Sequence, residues 1–496
     1  MNTIFDFIKK LPDVSAAKDA GVYKKSINNI GDLWVFMVNE GEKDVLIATG
    51  KGSEIFSGEK INCPECAKSY IKAPLNHENA IALRKTFAFT APIPVLREKR
   101  SMGVGDRLGI AAHGHIRCFN DYDAYPILAQ QSIRELNLTN RTYENVLDCA
   151  SYAVFRDGFK RGFGADGDHL KKPEDIEYAL SLGFTMITLD CSDHIRNDVN
   201  DMSFAQLKTE SSLPKDIAQR YLDKTFEIED DKIKFTEEEL LRIQLIYSKA
   251  VDYTVSIWEK YLSDGSSNVD FEISIDETPT PTTPLQHFYV ANELTLRGVK
   301  FATVAPRFCG EFQKGVDYIG DLVQFEKELK IHAAIARKFG YKLSIHSGSD
   351  KFSTFKLIGK YTQGKFHVKT AGTNWLEAMR AVAKVDPKLY REIHKFALSM
   401  FEQAKKFYHV TTDLSKIADV DTLNDNELVE LFNQNDARQL IHITYGFILT
   451  EKNADGSFRF KDKLYKMWRE GEEVYAEMLH KHIGRHLELL YSGFEK

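Results

Sequence analysis

Arg161-Gly-Phe-Gly-Ala-Asp-Gly-Asp-His169 places two carboxylates and an imidazole at the end of a glycine-rich, strand-like run. Alternate residues of an extended backbone share a face, so Asp166 and Asp168 are predicted to project to one side, with His169 at the start of the next turn. Two carboxylates beside an imidazole repel unless a cation or a substrate hydroxyl separates them, which favours a hard divalent metal ion. The alternative is a solvated turn that caps a helix beginning at Pro173.

Apolar runs that end in polar residues recur along the chain from about residue 100. Eight such runs are predicted as strands: Leu108–His113, Gly162–Asp168, Phe184–Asp190, Phe271–Glu277, Lys300–Arg307, Leu343–Ser347, Phe366–Thr370 and Phe407–Thr412. Helices are predicted between them, near 122–137, 142–156, 173–182, 204–262, 285–297, 321–339, 374–384 and 387–406. This alternation predicts an α/β fold, a (β/α)8 TIM-like barrel with its site at the carboxyl ends of the strands. An open doubly wound sheet is the alternative.

The barrel is expected to occupy only part of the 496 residues. Residues 1–100 are predicted to form an N-terminal α+β addition, and residues 101–420 the catalytic barrel. A helical insertion near 203–268 is longer than an ordinary barrel helix, which favours a lid or a surface for homo-oligomer formation. Residues 421–496 are predicted to form a C-terminal helical extension.

Composition narrows the class of protein. Hydrophobic residues make up 43% of the chain and charged residues 28%, which predicts a globular protein with a substantial core. A net charge of −6 argues against nucleic acid as a partner, and no apolar run reaches the length of a membrane helix. Charge appears too early in Met1–Lys10 for a secretory leader, so we expect a cytoplasmic protein. Cys63-Pro-Glu-Cys66 resembles half of a zinc knuckle, but without a second pair it is interpreted as structural or incidental.

Metal-ligand candidates lie at two other predicted strand ends. His346 ends the strand of Leu343-Ser-Ile-His-Ser-Gly-Ser349, where a neutral imidazole suits a metal ion, although a lone core histidine is the commoner situation. Together with His169 it is interpreted as a ligand. Either Glu311 or Gln313 would complete a mixed nitrogen and oxygen site.

Groups for proton transfer and for anion binding follow other strands. Glu277 stands between an apolar strand and a Pro/Thr-rich loop, which suits a fixed general acid or base, with an N-cap or a rim ion pair as the alternative. Arg307 and Lys369 are candidates to hold a carboxylate or phosphate. Basic residues at barrel rims also often do no more than balance acids.

His113-Gly-His115 suggests a second interpretation. This pair resembles the HxH metal motif of the amidohydrolase superfamily, and Asp413 would supply the completing carboxylate. Such a hydrolase-like uronate isomerase would leave Asp168, His169 and Glu277 without roles.

Several motifs together resemble the tagaturonate epimerase family over roughly residues 100–450. They are Gly103-Val-Gly-Asp-Arg-Leu-Gly109, Gly114-His-Ile116, Gly164-Ala-Asp-Gly-Asp-His-Leu-Lys171, Thr188-Leu-Asp-Cys-Ser-Asp-His194, the Arg307–Asp321 segment and Ser344-Ile-His-Ser-Gly348. The resemblance implies a metal-dependent barrel isomerase that interconverts D-tagaturonate and D-fructuronate in hexuronate catabolism. It also implies Asp168 as proton acceptor, Glu277 as proton donor, and His169, Gln313 and His346 as metal ligands.

The implied reaction inverts a carbon β to the ketone, which simple enolisation does not acidify. A retro-aldol route, with a divalent ion such as Zn, Mn, Co or Ni as Lewis acid, is therefore expected. Direct C–H deprotonation and transient oxidation are alternatives, but the glycines around 103–109 lack the spacing of a dinucleotide site. Other open interpretations are a neutral ketohexose substrate, a different metal-dependent sugar isomerase or aldolase, and a sugar-acid binding protein without catalysis.

Overall fold

The structure is a computed structural model that describes residues 3–63, 68–264 and 268–494. Cys66 lies outside the described residues, so the interpretation of the Cys63/Cys66 pair does too. The strands are β1 Asn28–Ile30, β2 Leu33–Asn39, β3 Asp44–Thr49, β4 Glu59–Asn62, β5 Ser69–Pro74, β6 Arg100–Val104, β7 Tyr125–Ser132, β8 Gly164–Leu170, β9 Met186–Asp190, β10 Phe226–Ile228, β11 Asp231–Ile233, β12 Asp270–Ile275, β13 Thr303–Pro306, β14 Lys342–Ile345 and β15 Phe366–Thr370.

The helices of the barrel and of the segments before it are α1 Thr3–Lys10, α2 His77–Thr86, α3 Ala112–Asp121, α4 Ile133–Thr139, α5 Tyr143–Asp157, α6 Pro173–Ser181, α7 Phe204–Glu210, α8 Lys215–Tyr221, α9 Glu237–Tyr261, α10 Pro284–Leu296, α11 Leu322–Phe339 and α12 Phe352–Tyr361. After β15 follow α13 Thr373–Val385, α14 Pro387–Ala404, α15 Asp425–Glu430, α16 Asn435–Ile443, α17 Tyr445–Thr450, α18 Lys461–Glu470 and α19 Glu472–Tyr491. In the described ranges, no helix has an apolar stretch long enough to span a lipid bilayer.

Eight parallel strands close into a barrel in the order β12-β13-β14-β15-β6-β7-β8-β9, which confirms the predicted (β/α)8 fold. Closure joins β15 to β6, where Phe366 pairs with Arg100 and Thr370 pairs with Val104. Most barrel strands are buried along their whole length, since helices cover the outside and packed side chains fill the inside. The carboxyl ends of all eight strands therefore meet at one rim.

Two further layers pack on the barrel. The N-terminal antiparallel sheet, in the order β1-β2-β3-β5-β4, shares a core with α5 through Tyr152 and Phe155. The C-terminal helices form a second core around Trp375 and Trp468, and α19 lies against α3 and α12. The segment 203–268 contains α7, α8 and α9 and also the antiparallel hairpin of β10 and β11, which was not predicted.

Two of the eight predicted strands are wrong. Leu108–His113 is a loop that leads into α3, because the Asp106 carboxylate accepts the backbone N–H groups of residues 108, 109 and 111 and so removes the donors that a strand needs. Phe407–Thr412 is also irregular, since the Thr411 N–H donates to the Gln313 side chain instead of to a neighbouring strand. Closure between β15 and β6 leaves no position for a strand there.

The strands that take their places are β6 and β7. Residues 122–137 were predicted as one helix, yet Tyr125–Ser132 is a strand and only Ile133–Thr139 is helical. A strand buried on both faces has no period-two alternation, so its apolar residues are easily assigned to a helix. Pro126 is tolerated because it lies next to the first residue of β7.

Lys342 at the start of β14 makes stability depend on pH. Its Nζ donates to the Glu98 carbonyl and the Ser101 hydroxyl, and burial lowers its pKa to about 7. Between about pH 7 and 10 the unfolded chain binds a proton that the folded protein does not, so the free energy of unfolding rises with pH by about 1.4 kcal/mol per unit. Below pH 7 Lys342 is protonated in both the folded and the unfolded chain, so folding carries the full cost of burying its ammonium group.

We therefore expect urea unfolding to show that the free energy of unfolding of the wild type rises by about 2 kcal/mol relative to that of Lys342→Met from pH 7 to pH 9. Methionine keeps the apolar stem and never titrates, so the comparison isolates this one group. A difference that stays constant over this range would contradict the assignment.

Candidate active site

A cavity of about 470 Å³ opens at the carboxyl ends of the barrel strands. All five residues predicted for catalysis or metal binding line it: Asp168, His169, Glu277, Gln313 and His346. Asp168 and His169 lie near the end of β8, and Glu277, Gln313 and His346 follow β12, β13 and β14. Barrel closure thus brings together side chains that are up to 178 positions apart, from 168 to 346, in the sequence.

A bulge in β8 directs His169. Pairing of β8 with β9 shifts register between Gly167 and Leu170, and His169 within this interval has φ 55°, in the left-handed region. A non-glycine residue in this conformation stores roughly 1–3 kcal/mol of strain, and such residues concentrate at functional sites. The His169 and His346 rings consequently lie with centroids 4.8 Å apart. The two imidazoles interpreted from the sequence as metal ligands are therefore neighbours.

Lys369 binds the carboxylates of β8. Its Nζ lies 2.7 Å from Asp166 Oδ2, 2.7 Å from Asp168 Oδ1 and 2.8 Å from Glu272 Oε1. Asp166 and Asp168 therefore share a face of the strand, as predicted from the alternation. Lys369 is fully engaged by these acids, so the hypothesis that it holds a substrate anion is not supported by its contacts.

The Asp168 carboxylate is oriented through one of its two oxygens. Lys369 Nζ and His169 Nδ1 both donate to Oδ1, at 2.7 Å and 2.8 Å, and Oδ2 remains for a substrate. Burial acts to raise the pKa of Asp168, but the charges of Lys369 and His169 outweigh it and hold the pKa well below its usual range. Asp168 is consequently ionised at neutral pH and ready to accept a proton.

His346 lies between two further carboxylates. Its Nδ1 is 3.1 Å from Asp276 Oδ1 and its Nε2 is 2.8 Å from Glu272 Oε1. Burial acts to lower the pKa of His346, but these two acids outweigh it and raise the pKa to about 10. A positive charge is thus strongly favoured at this position.

The donor atoms suit a divalent metal ion. One ligand atom each from His169, Asp276 and His346 lies within 4.8 Å of the other two. His169 uses Nδ1 for Asp168, which leaves Nε2 for a ligand, the arrangement that carboxylates commonly impose on metal-binding histidines. Two imidazoles and a carboxylate fit Zn, Mn, Co or Ni.

A second group with metal-ligand side chains, Asp350, His482 and His486, is a hydrogen-bond network. His486 Nδ1 donates to the His482 carbonyl, and His486 Nε2 accepts the Asp350 N–H, so neither nitrogen retains a free lone pair. Asp350 is also paired with Arg438 at 2.8 Å. This network fastens α19 to the loop after β14.

Gln313 and Glu311 have different surroundings. Gln313 lines the cavity, and its Oε1 accepts hydrogen bonds from Thr411 and Gln439. Glu311 does not line the cavity, and its carboxylate lies 3.6 Å from His409 Nε2. Of the two residues proposed to complete the metal site, only Gln313 lines the cavity, and its Oε1, the atom that would bind a metal ion, is engaged by these hydrogen bonds.

Glu277 is exposed to the cavity and has no hydrogen bond or ion pair with any described residue. A carboxyl group without protein partners is free to exchange a proton with a ligand. Arg307, in contrast, donates to the Thr278 carbonyl and does not line this cavity, so its contacts do not support the predicted anion-binding role.

The residues of the amidohydrolase-like motif, His113, His115 and Asp413, do not come together in the structure. His113 and His115 lie within α3, where His113 Nδ1 is 2.7 Å from Asp157 and burial lowers the pKa of His115 to about 4. Asp413 is exposed and accepts hydrogen bonds from Ser415. The three residues do not share partners, and none lines the cavity at the barrel mouth.

Asp276 and Glu272 contact His346, although neither was assigned a role from the sequence. Asp276 directly follows β12 and precedes Glu277. This position at a strand end was the sequence feature that could have identified it as a site residue. Glu272 lies within β12 and is buried, and a buried acid at such a position indicates a charged partner inside the barrel. Arg134 and Lys314 also line the cavity and had no distinguishing sequence signal.

By its fold and by the position of its cavity, the protein is a (β/α)8-barrel enzyme. A family model of tagaturonate epimerase (UxaE) matches residues 23–490. A tagaturonate/fructuronate epimerase from Thermotoga maritima is 44% identical over 474 residues, which cover 95% of this chain and 96% of that protein. The chain belongs to the tagaturonate epimerase family and is an epimerase, an enzyme of the isomerase class.

Solved structures agree with this assignment. The native crystal structure of fructuronate-tagaturonate epimerase UxaE from Cohnella laeviribosi is 48% identical and superposes with a TM-score of 0.93. The alignment covers 98% of this chain and 99% of that chain. A complex of the same enzyme with one glycerol gives the same TM-score, 0.93.

Proposed function

We propose that the protein interconverts D-tagaturonate and D-fructuronate and that it requires a divalent metal ion. The family and the names of the relatives from T. maritima and C. laeviribosi support this substrate pair. The observation that carries the proposal is that Asp168 and Glu277 line the same cavity as the adjacent rings of His169 and His346.

His169, Asp276 and His346 would hold the ion, and Gln313, which lines the same cavity, would join them only if its Oε1 left Thr411 and Gln439. When bound, a divalent cation supplies Lewis-acid polarisation of the substrate oxygens and stabilises negative charge that develops on them. Zn, Mn, Co and Ni suit this set of ligands.

The proton transfers follow from the two carboxylates. Asp168 Oδ2 takes the hydroxyl proton at the carbon β to the ketone, the adjacent C–C bond breaks, and its electron pair passes to the ketone oxygen, which leaves an enediolate and an aldehyde. The aldehyde turns, the enediolate attacks its opposite face, and Glu277 protonates the new alkoxide. Lys369 and His169 keep Asp168 oriented throughout through Oδ1.

Nuclear magnetic resonance of fructuronate with the metal-loaded protein in deuterated water tests the proposal. We expect tagaturonate signals without added nucleotide and no deuterium at the inverted carbon, because the retro-aldol route never breaks that C–H bond. Deuterium at that carbon would contradict the route, and full activity after exhaustive chelation would contradict the metal requirement. Saturable binding without product signals over hours would indicate a sugar-acid binding protein.

A further inference from the structure

Two of the five cationic side chains that line the cavity, Lys171 and Lys369, are paired with protein acids. Lys369 is bound by three carboxylates, and Lys171 Nζ lies 2.6 Å from Asp193 Oδ1. Arg134, Lys172 and Lys314 form no ion pair with any acid among the described residues, and of these three Arg134 and Lys314 lie near enough for their charges to act on each other. Glu135 and Glu277 act on both Arg134 and Lys314 only from beyond ion-pair distance, so an anionic ligand group would supply the direct contact that the protein acids do not.

Both side chains are held in place by uncharged contacts. The Arg134 guanidinium lies over the Tyr408 ring, 5.3 Å from its centroid, which orients the group without using its N–H donors. Lys314 Nζ donates to the Ser347 hydroxyl at 3.2 Å. Because Ser347 directly follows His346, this hydrogen bond fixes Lys314 to the loop that carries the proposed metal ligand.

We propose that Arg134 and Lys314 form the binding site for the carboxylate of the sugar-acid substrate. The inference rests on the proposed function, whose two substrates share one carboxylate, on the side of the inverted carbon away from the ketone. The planar guanidinium suits bidentate binding of a carboxylate, and the lysine adds a point charge. In the retro-aldol route this carboxylate lies on the aldehyde fragment, so the two cations also retain that fragment while it turns.

The test is the binding and turnover of fructuronate by Arg134→Met and Lys314→Met. Loss of a charge-assisted hydrogen bond is expected to raise the KM and the calorimetric dissociation constant by about 10-fold or more. The kcat is expected to change much less, because the carboxylate interacts equally with the ground state and the transition state. Lys314→Arg keeps the charge and is expected to recover most of the affinity.

Lys172 provides the matched control. It is an exposed lysine that lines the same cavity, forms no ion pair among the described residues, and acts on Asp175 only through a longer-range charge interaction. Lys172→Met is expected to change KM by less than about twofold. If Lys172→Met raised the KM for fructuronate as much as Arg134→Met and Lys314→Met do, the cations would be acting only through their summed positive charge. That result would overturn the proposed carboxylate site.

The two possible failures are distinguishable. Wild-type protein that binds fructuronate but does not convert it would contradict the proposed function and leave the carboxylate site standing. Variants of Arg134 and Lys314 that both bind fructuronate as the wild type does would overturn the carboxylate site, whether or not the wild type turns it over. Arg134 is exposed at the cavity, so its variant is expected to fold even if Lys314→Met does not.

Discussion

Asp168→Asn is expected to reduce kcat for fructuronate by about 10³-fold, which corresponds to roughly 4 kcal/mol of transition-state stabilisation. Asparagine keeps the shape and an acceptor oxygen for Lys369 and His169, but its amide cannot take a proton. Because the asparagine side chain still fills the position of Asp168, the KM for fructuronate is expected to change by less than about threefold. Steady-state kinetics on metal-loaded protein measure both constants.

Asp175→Asn is the matched control for this variant. Asp175 also lines the cavity, in the first turn of α6, and removing its charge is expected to change kcat by less than about twofold. An Asp168→Asn protein that keeps more than a tenth of the wild-type kcat would exclude Asp168 as the base. Thermal unfolding of both variants shows whether loss of activity reflects chemistry or misfolding.

His346→Gln is expected to retain less than about 0.1 equivalents of metal after dialysis. Its kcat/KM is expected to fall by about 10³-fold, because a Lewis-acid ion stabilises the transition state by several kcal/mol. The imidazole lies between Asp276 and Glu272, so its loss removes one donor and leaves two acids that repel each other. Elemental analysis and steady-state kinetics measure the two effects.

His113→Gln distinguishes the two metal interpretations. His113 is bound to Asp157 on the outer layer of the barrel, and its replacement is expected to leave metal content unchanged. Loss of metal from His113→Gln, with retention in His346→Gln, would favour the amidohydrolase-like arrangement. A full equivalent of metal in His346→Gln would exclude the proposed ligand set.

Six of the eight barrel strands were predictable because each is a short apolar run that ends in polar residues. β6 and β7 were not, for local reasons. Arg100–Val104 is a short run with a charged first residue, and Tyr125–Ser132 is buried on both faces and therefore has no alternation. The competing strand at Leu108–His113 fails because the Asp106 side chain captures the backbone donors there, a contact that no propensity reveals.

The site residues also divide into those that the sequence predicted and those that only the structure revealed. Asp168, His169, Glu277, Gln313 and His346 were found from strand-end chemistry and from the family resemblance, and all line one cavity. The contacts of Glu272 with Lys369 and His346 join strands that are distant in the chain, so they follow from barrel closure and not from spacing.

The amino-acid sequence by itself determined the alternation of strands and helices, the family, and the strand ends at which acids and imidazoles lie. Those properties depend on residue type and local periodicity, which are present in the unfolded chain. The tertiary structure alone decided which cations are neutralised and which are not. Arg134 and Lys314 resemble any other basic residues in the chain, and only the three-dimensional structure shows that they line the cavity without an ion pair to any acid among the described residues.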